Sequence, residues 1–256
     1  MALLAIENLS ISFAGLKALS GVSFTVNTGE IVGLIGPNGA GKTTLLNCIS
    51  RLYTPQSGRI LLNDVNLLDV PVHGIAAHGI ARTFQNLELF GGASVLENVA
   101  VSSMRRFRSN LLAELFWLPA ARRDVHAARE AALQTLKALG LDHLADQRTS
   151  DLPYGTQKMV ELARALAGQP KLLLLDEPAA GLNPDESRRL GETIRALRDQ
   201  GITVILIEHD MSLVMTICER IVVLDHGEKI HEGTPETVRR DPAVISAYLG
   251  AEAGDA

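Results

Sequence analysis

The run Gly36-Pro37-Asn38-Gly39-Ala40-Gly41-Lys42-Thr43-Thr44 constrains this chain more than any other. Five apolar residues, 31–35, rich in β-branched side chains, come before it. Residues 42–51 then carry apolar side chains at 45, 46 and 49, the spacing of a helix. Strand, glycine loop and helix in that order fit the pattern G-x-x-x-x-G-K-[ST]. The glycines let backbone N–H groups turn inward around a phosphate, and the helix N-terminus adds its positive end. Lys42 supplies a point charge for the β- and γ-phosphates. The Thr43 hydroxyl is a hard oxygen ligand for Mg²⁺. All nine residues of the run are candidate phosphate contacts.

A second run pairs with the first. Leu172-Leu173-Leu174-Leu175 leads straight into Asp176-Glu177. A strand buried on both faces delivers the two carboxylates at its C-terminal edge, where ligands bind in such sheets. Asp176 is placed to hold Mg²⁺ through water. Glu177 is then free to orient and polarise an attacking water as general base.

The rest of the chain frames these runs. Period-2 alternation marks strands at 3–12 and 22–26, and 59–62 is another. From about 97 to 146 the residues turn Ala, Leu and Arg rich with helical spacing. Ala132, Leu133, Leu136 and Leu139 form a stripe that Gly140 ends. Buried strands at 171–176 and 201–207 then alternate with helices at 185–200 and 212–218. A hairpin over 220–225 and 229–233 turns at Asp225-His226-Gly227, and 235–249 is a terminal helical pair. Such alternation predicts an α/β fold, a parallel sheet covered on both faces, with a helical insert.

Composition removes several classes. The chain has 256 residues, 46% of them hydrophobic, enough for one large core. A net charge of −5 and 4% aromatic residues argue against a basic, base-stacking nucleic-acid surface. Cys48 and Cys218 lie far apart without metal-ligand spacing, which excludes a disulfide scaffold or zinc site. The first ten residues lack a basic region and Glu7 interrupts their apolar run, so no signal peptide is expected. No apolar run approaches the ~20 residues of a transmembrane helix. At a membrane, a partner would have to hold the chain.

Leu152-Pro153-Tyr154-Gly155-Thr156-Gln157, taken with the phosphate loop, resembles the signature of ABC-transporter ATPases, usually written L-S-G-G-Q. The resemblance covers essentially the whole chain. It implies one nucleotide-binding domain over 1–256. A RecA-like P-loop NTPase core with antiparallel N-terminal strands would span 1–85 and 165–235. A helical subdomain would span about 86–164, and a C-terminal helical tail 236–256. It implies ATP and Mg²⁺ as cofactors, ATP hydrolysis, and head-to-tail pairing with a second ABC ATPase subunit. Each phosphate loop would then face the other subunit's signature, here Tyr154, Gly155, Thr156 and Gln157. Gln85, in Arg82-Thr83-Phe84-Gln85-Asn86, resembles the Q-loop glutamine, which contacts Mg²⁺ and the water and links the site to a membrane partner. His209, in Glu208-His209-Asp210, resembles the switch histidine at the γ-phosphate. Phe13 takes the place of the aromatic that stacks on adenine.

Two departures narrow the resemblance. The signature Ser, first Gly and Gln are Pro153, Tyr154 and Thr156 here. Pro153 cannot donate to a γ-phosphate, so Gly155, the helix N-terminus and the Thr156 hydroxyl are left for that contact. Asn183, in Ala180-Gly181-Leu182-Asn183-Pro184, stands where many members carry Asp. This wording, with R-T-F-Q-N and E-H-D-M, is similar to the ATP-binding subunit of branched-chain amino acid importers. That subfamily implies transmembrane permeases as partners, an external substrate-binding protein indirectly, no nucleic acid, and a peripheral place on the cytoplasmic face of the inner membrane. The residues read ATP rather than cargo: subunits for urea, amides or other amino acids share much of the wording. Two rivals are an ATPase of lipid or lipopolysaccharide export and a soluble ABC ATPase acting on nucleic acid or the ribosome. The former carries a more standard signature. The latter usually has tandem cassettes, coiled-coil arms or basic tails. The insert with Arg105, Arg106, Arg108, Trp117, Arg122 and Arg123 reads as a helical hairpin on its own lobe, with a membrane-surface segment as the alternative.

Overall fold

The computed structural model describes residues 1–85, 87–104 and 119–252. The first two strands, β1 (Ala2–Phe13) and β2 (Leu16–Asn27), form one long antiparallel hairpin. It turns at Ala14-Gly15, both at positive φ, which suits a two-residue hairpin turn. Alternation in sequence marks only 3–12 and 22–26. The first half of β2 escapes that pattern because it is largely exposed and the pairing slips at several positions. β4 (Ser57–Leu62) and β5 (Val65–Asn66) complete a four-stranded sheet in the order β2-β1-β4-β5.

The second sheet holds the chemistry. Its six strands run β10-β9-β3-β8-β7-β6. β3 (Ile31–Ile35), β7 (Leu172–Asp176), β8 (Thr203–Ile207) and β9 (Arg220–Asp225) are parallel, and β6 (Ile80–Arg82) adds a short parallel edge. β10 (Glu228–Gly233) returns antiparallel beside β9. Every residue of β3, β7 and β8 is buried, because both faces are covered. Alternate residues serve two cores. Val32 and Leu34 pack with the first sheet and with α1 (Lys42–Ile49). Ile31 and Ile35 pack with α4 (Tyr154–Ala167), α5 (Pro184–Asp199) and α6 (Met211–Ile217) on the opposite face.

A third apolar cluster joins α2 (Val95–Met104), α3 (Pro119–Ala138) and α4. Ala132 and Leu136 of the expected stripe lie in it, fully buried. The short helix α7 (Pro235–Val238) and α8 (Pro242–Glu252) end the chain. The expected hairpin on the Arg-rich insert, with Trp117, falls mostly outside the described residues. Among the described residues, no helix is long and apolar enough to cross a membrane.

Candidate functional site

The phosphate loop joins β3 to α1, and its shape is set by contacts that leave no room for side chains. A Cβ on Gly36 would stand 2.0 Å from the Leu224 carbonyl oxygen. One on Gly41, at φ 97°, would stand 2.5 Å from that of Ala18. The loop therefore rests against both sheets. Lys42 is buried, and its Nζ donates to the carbonyls of Gly36 at 2.6 Å and Pro37 at 2.9 Å. Burial pushes the Lys42 ammonium below its ordinary range, against the pull of Glu177 and Asp176.

Residues 38–44 line a groove of about 530 Å³ with Leu16, Lys17, Ala18, Glu177, His209 and His226. The groove thus draws on the first hairpin, the loop and the ends of β7 and β8. Glu177 sits in the left-handed region at φ 50°, with its N–H donated to the Ile207 carbonyl at 2.9 Å. Its carboxylate is held at both oxygens. Oε1 lies 2.9 Å from His209 Nε2, and Oε2 accepts from Gln85 Nε2 at 2.8 Å. Gln85 and His209, expected from the family resemblance, therefore meet at the carboxylate expected from the acidic run. Phe13 stands half-exposed at the hairpin head, edge-on to Tyr53 with ring centroids 5.0 Å apart.

Asp176 is buried at the end of β7 and accepts from Arg82 Nη2 at 2.8 Å. Thr43, Gln85 and Asp176 offer a hydroxyl, an amide carbonyl and a carboxylate, all hard oxygen donors. Among the described residues, no group of three or more His, Cys, Asp or Glu is arranged to hold a metal by itself. Such a donor set suits Mg²⁺, which takes one or two protein ligands together with phosphates and water.

None of residues 152–157 lines the groove. They open α4, with Pro153 at the N-cap position and no side-chain cap. The first-turn N–H groups of Tyr154, Gly155 and Thr156 are consequently left without helical partners. The Tyr154 ring lies against Gly181 and under the Lys158 ammonium, 5.7 Å from the ring centroid. Gln157 Nε2 donates to the Leu152 carbonyl at 2.8 Å, so this amide is engaged within the chain.

Two residues of the site carry no role in the sequence reading. Arg82 is one, in partnership with Asp176. The other is Glu208, a buried carboxylate that accepts from Ala179 N at 2.6 Å and from His209 N at 3.1 Å. It ties the turn after the acidic pair to the turn carrying His209. Burial pushes its carboxyl above the usual range. Glu208 directly follows the apolar run 202–207, which was a signal, whereas Arg82 closes a three-residue strand that offers none.

A strand–loop–helix phosphate cradle beside a parallel sheet, with two carboxylates on the next strand but one, defines a P-loop nucleotide-binding protein. Sequence relatives define the kind. The ABC transporter family model matches residues 19–180, and the chain belongs to that family. A second model, for branched-chain amino acid ATP-binding cassette transporters, matches residues 228–254. The chain is 44% identical to the high-affinity branched-chain amino acid transport ATP-binding protein BraF of Pseudomonas aeruginosa, over 97% of this chain and 98% of the relative. It is 45% identical to LivG of Escherichia coli K12, of the same description, with the same coverage. A solved ATP-binding cassette of an ABC transporter, in its ADP conformation, superposes with a TM-score of 0.85 at 33% identity. That match covers 98% of this chain and 99% of the other.

Proposed function

We propose that this chain is the ATP-binding and hydrolysing subunit of an ABC importer for branched-chain amino acids. The observation that carries the ATPase reading is the Glu177 carboxylate, fixed between His209 and Gln85 at the mouth of the phosphate groove. The cargo reading is supported by the match at 228–254 and by the two relatives of that description. Those matches favour it over lipid or lipopolysaccharide export and over related cargoes.

Residues 36–44 bind the phosphates, and Phe13 stacks on the base. Glu177 accepts a proton from the attacking water while Gln85 orients that water. Lys42 and His209 carry the charge that develops on the γ-phosphate. Thr43, Gln85 and Asp176 would hold Mg²⁺, which neutralises phosphate charge when bound. The signature N–H groups lie outside the chain's own groove, so they serve the nucleotide of a second ATPase subunit. ATP thereby favours the closed pair, and loss of phosphate opens it.

The clusters support a division into a core and a helical subdomain, with α4 shared between them. The segment after Gln85 passes the motion to permease subunits. Phe90 is 57% exposed there, apolar surface suited to a partner. The chain would then sit peripherally on the cytoplasmic face of the inner membrane, with the external binding protein contacting only the permeases.

Hydrolysis by wild type and Glu177→Gln, with gel filtration in ATP and Mg²⁺, tests this. Slow turnover by wild type, none by the variant, and an ATP-dependent dimer of the variant are expected. Wild-type turnover by Glu177→Gln removes the base from the mechanism. Uptake of labelled leucine by cells carrying the permeases, lost with the variant, tests the cargo.

A further inference from the structure

Arg82 closes β6 at the edge of the parallel sheet, and its side chain is only 7% exposed. Nη2 donates to Asp176 Oδ2 at 2.8 Å. Nη1 donates to Asn47 Oδ1 at 2.7 Å and to Ser50 Oγ at 3.3 Å. The guanidinium also lies over the Phe84 ring, 5.0 Å from its centroid. One cation thus touches the helix after the phosphate loop, the carboxylate at the end of β7, and the segment that carries Gln85. It does not line the groove, so it acts from behind the site rather than on phosphate.

A buried charge without a partner is costly. A carboxylate that serves a metal site has to hold one orientation. Arg82 meets both needs. Its charge compensates Asp176, and its Nη2 commits Oδ2, leaving Oδ1 for the water. The fork geometry matters, because Nη1 and Nη2 reach different elements at once. A lysine has a single nitrogen on a flexible stem and cannot reproduce that.

We propose that Arg82 is a positioning residue for the hydrolysis reaction, holding the Asp176 carboxylate in one orientation and locking it to α1. The inference rests on the reading of Asp176 as the carboxylate that serves Mg²⁺.

The test compares wild type, Arg82→Met, Arg82→Lys and Asp176→Asn. The probe is a fluorescent ATP analogue, titrated in EDTA and then against Mg²⁺, with kcat and KM for ATP measured alongside. Residues that support metal-serving carboxylates typically contribute about 10–100-fold in metal affinity or activity. For Arg82→Met we expect metal-free nucleotide binding within about twofold of wild type, since the phosphate loop is untouched. Half-saturation by Mg²⁺ should move up by about tenfold or more, and kcat should fall more than KM rises. Arg82→Lys, which keeps the charge, should recover part of the Mg²⁺ response. If Asp176→Asn shifts the Mg²⁺ response and Arg82→Met does not, the role of Arg82 is overturned alone. If Asp176→Asn leaves the response unchanged, the reading of Asp176 falls and this inference with it. Should Arg82→Met fail to fold, Arg82→Lys decides: a wild-type Mg²⁺ response in it overturns the proposal.

Discussion

At the residue scale, the phosphate loop separates two kinds of glycine. Gly36 and Gly39 both have positive φ, but only Gly36 is crowded. A methyl group there overlaps the Leu224 backbone, which cannot move without disturbing β9. At Gly39 nothing lies within 4 Å of the position a Cβ would take. Gly39→Ala should therefore incur only the left-handed backbone strain, about 1–2 kcal/mol. Gly36→Ala should lose about 3 kcal/mol or more. Urea unfolding without nucleotide reads the difference, and equal losses would show that the steric account is wrong. Glu177 displays the opposite use of the same region. A non-glycine residue at φ 50° is held there by its N–H bond to Ile207 and by the clamp on its carboxylate. Strain at a proposed general base is thus offset by surrounding contacts.

At the element scale, Asn183 shows why a departure from the family's Asp carries little stability cost. It is the N-cap of α5, accepting from the N–H groups of Asp185 and Glu186 at 3.0 Å each, and Glu186 returns a bond to its own N–H. Asn183→Ala should lose about 1 kcal/mol, while Asn183→Asp keeps the cap and should leave thermal unfolding nearly unchanged. A second element junction is pH-sensitive. Arg220, on β9, binds Glu30 at the head of β3 and also Glu232 on β10. Burial alone would raise the Glu30 carboxyl, but Arg220 and the Asn27 N–H outweigh it and hold it below 4.5. The unfolded chain then binds this proton at higher pH than the folded one. Stabilisation is full above about pH 4.5 and drains away as pH falls through the lower folded value. Arg220→Met should lose about 2 kcal/mol at neutral pH and show a flatter decline on acidification. Urea midpoints at stepped pH measure both. Elements differ in how far sequence discloses them. β3, β7 and β8 are continuous apolar runs, so their burial in a parallel sheet was legible, whereas β9 was read only as half of a hairpin and its pairing with β3 was not. β6 is three residues long and has no pattern of its own, and the start of β2 is an exposed, slipped edge. Arg82 and Glu208 were visible as residues, yet their partners lie 94 and 29 positions away. Periodicity reports which face a side chain takes, not which distant group it meets.

At the scale of the whole molecule, the groove exists only when both sheets are assembled. Its walls come from residues 16–18, 38–44, 177, 209 and 226, brought together by the fold. The unfolded chain cannot hold nucleotide in this way, so nucleotide should stabilise the folded state by mass action. At a hundredfold excess over Kd the gain is about 2.7 kcal/mol. That gain belongs to a single chain and is independent of protein concentration. The signature contributes nothing to it, because residues 152–157 lie outside the groove. A second chain supplying its signature adds a bimolecular term, and bimolecular stabilisation grows with protein concentration. The two contributions therefore separate in one experiment. With ADP, the wild-type Tm should rise by a fixed amount at every protein concentration. With ATP and Mg²⁺, Glu177→Gln should show the same rise at low concentration and a further, steadily increasing one as concentration climbs over about two orders of magnitude. A concentration-independent Tm for Glu177→Gln in ATP would mean that two copies of this chain do not complete each other's site. Repeating the melt with a second, similar ATPase subunit added would then show whether that partner supplies the missing signature.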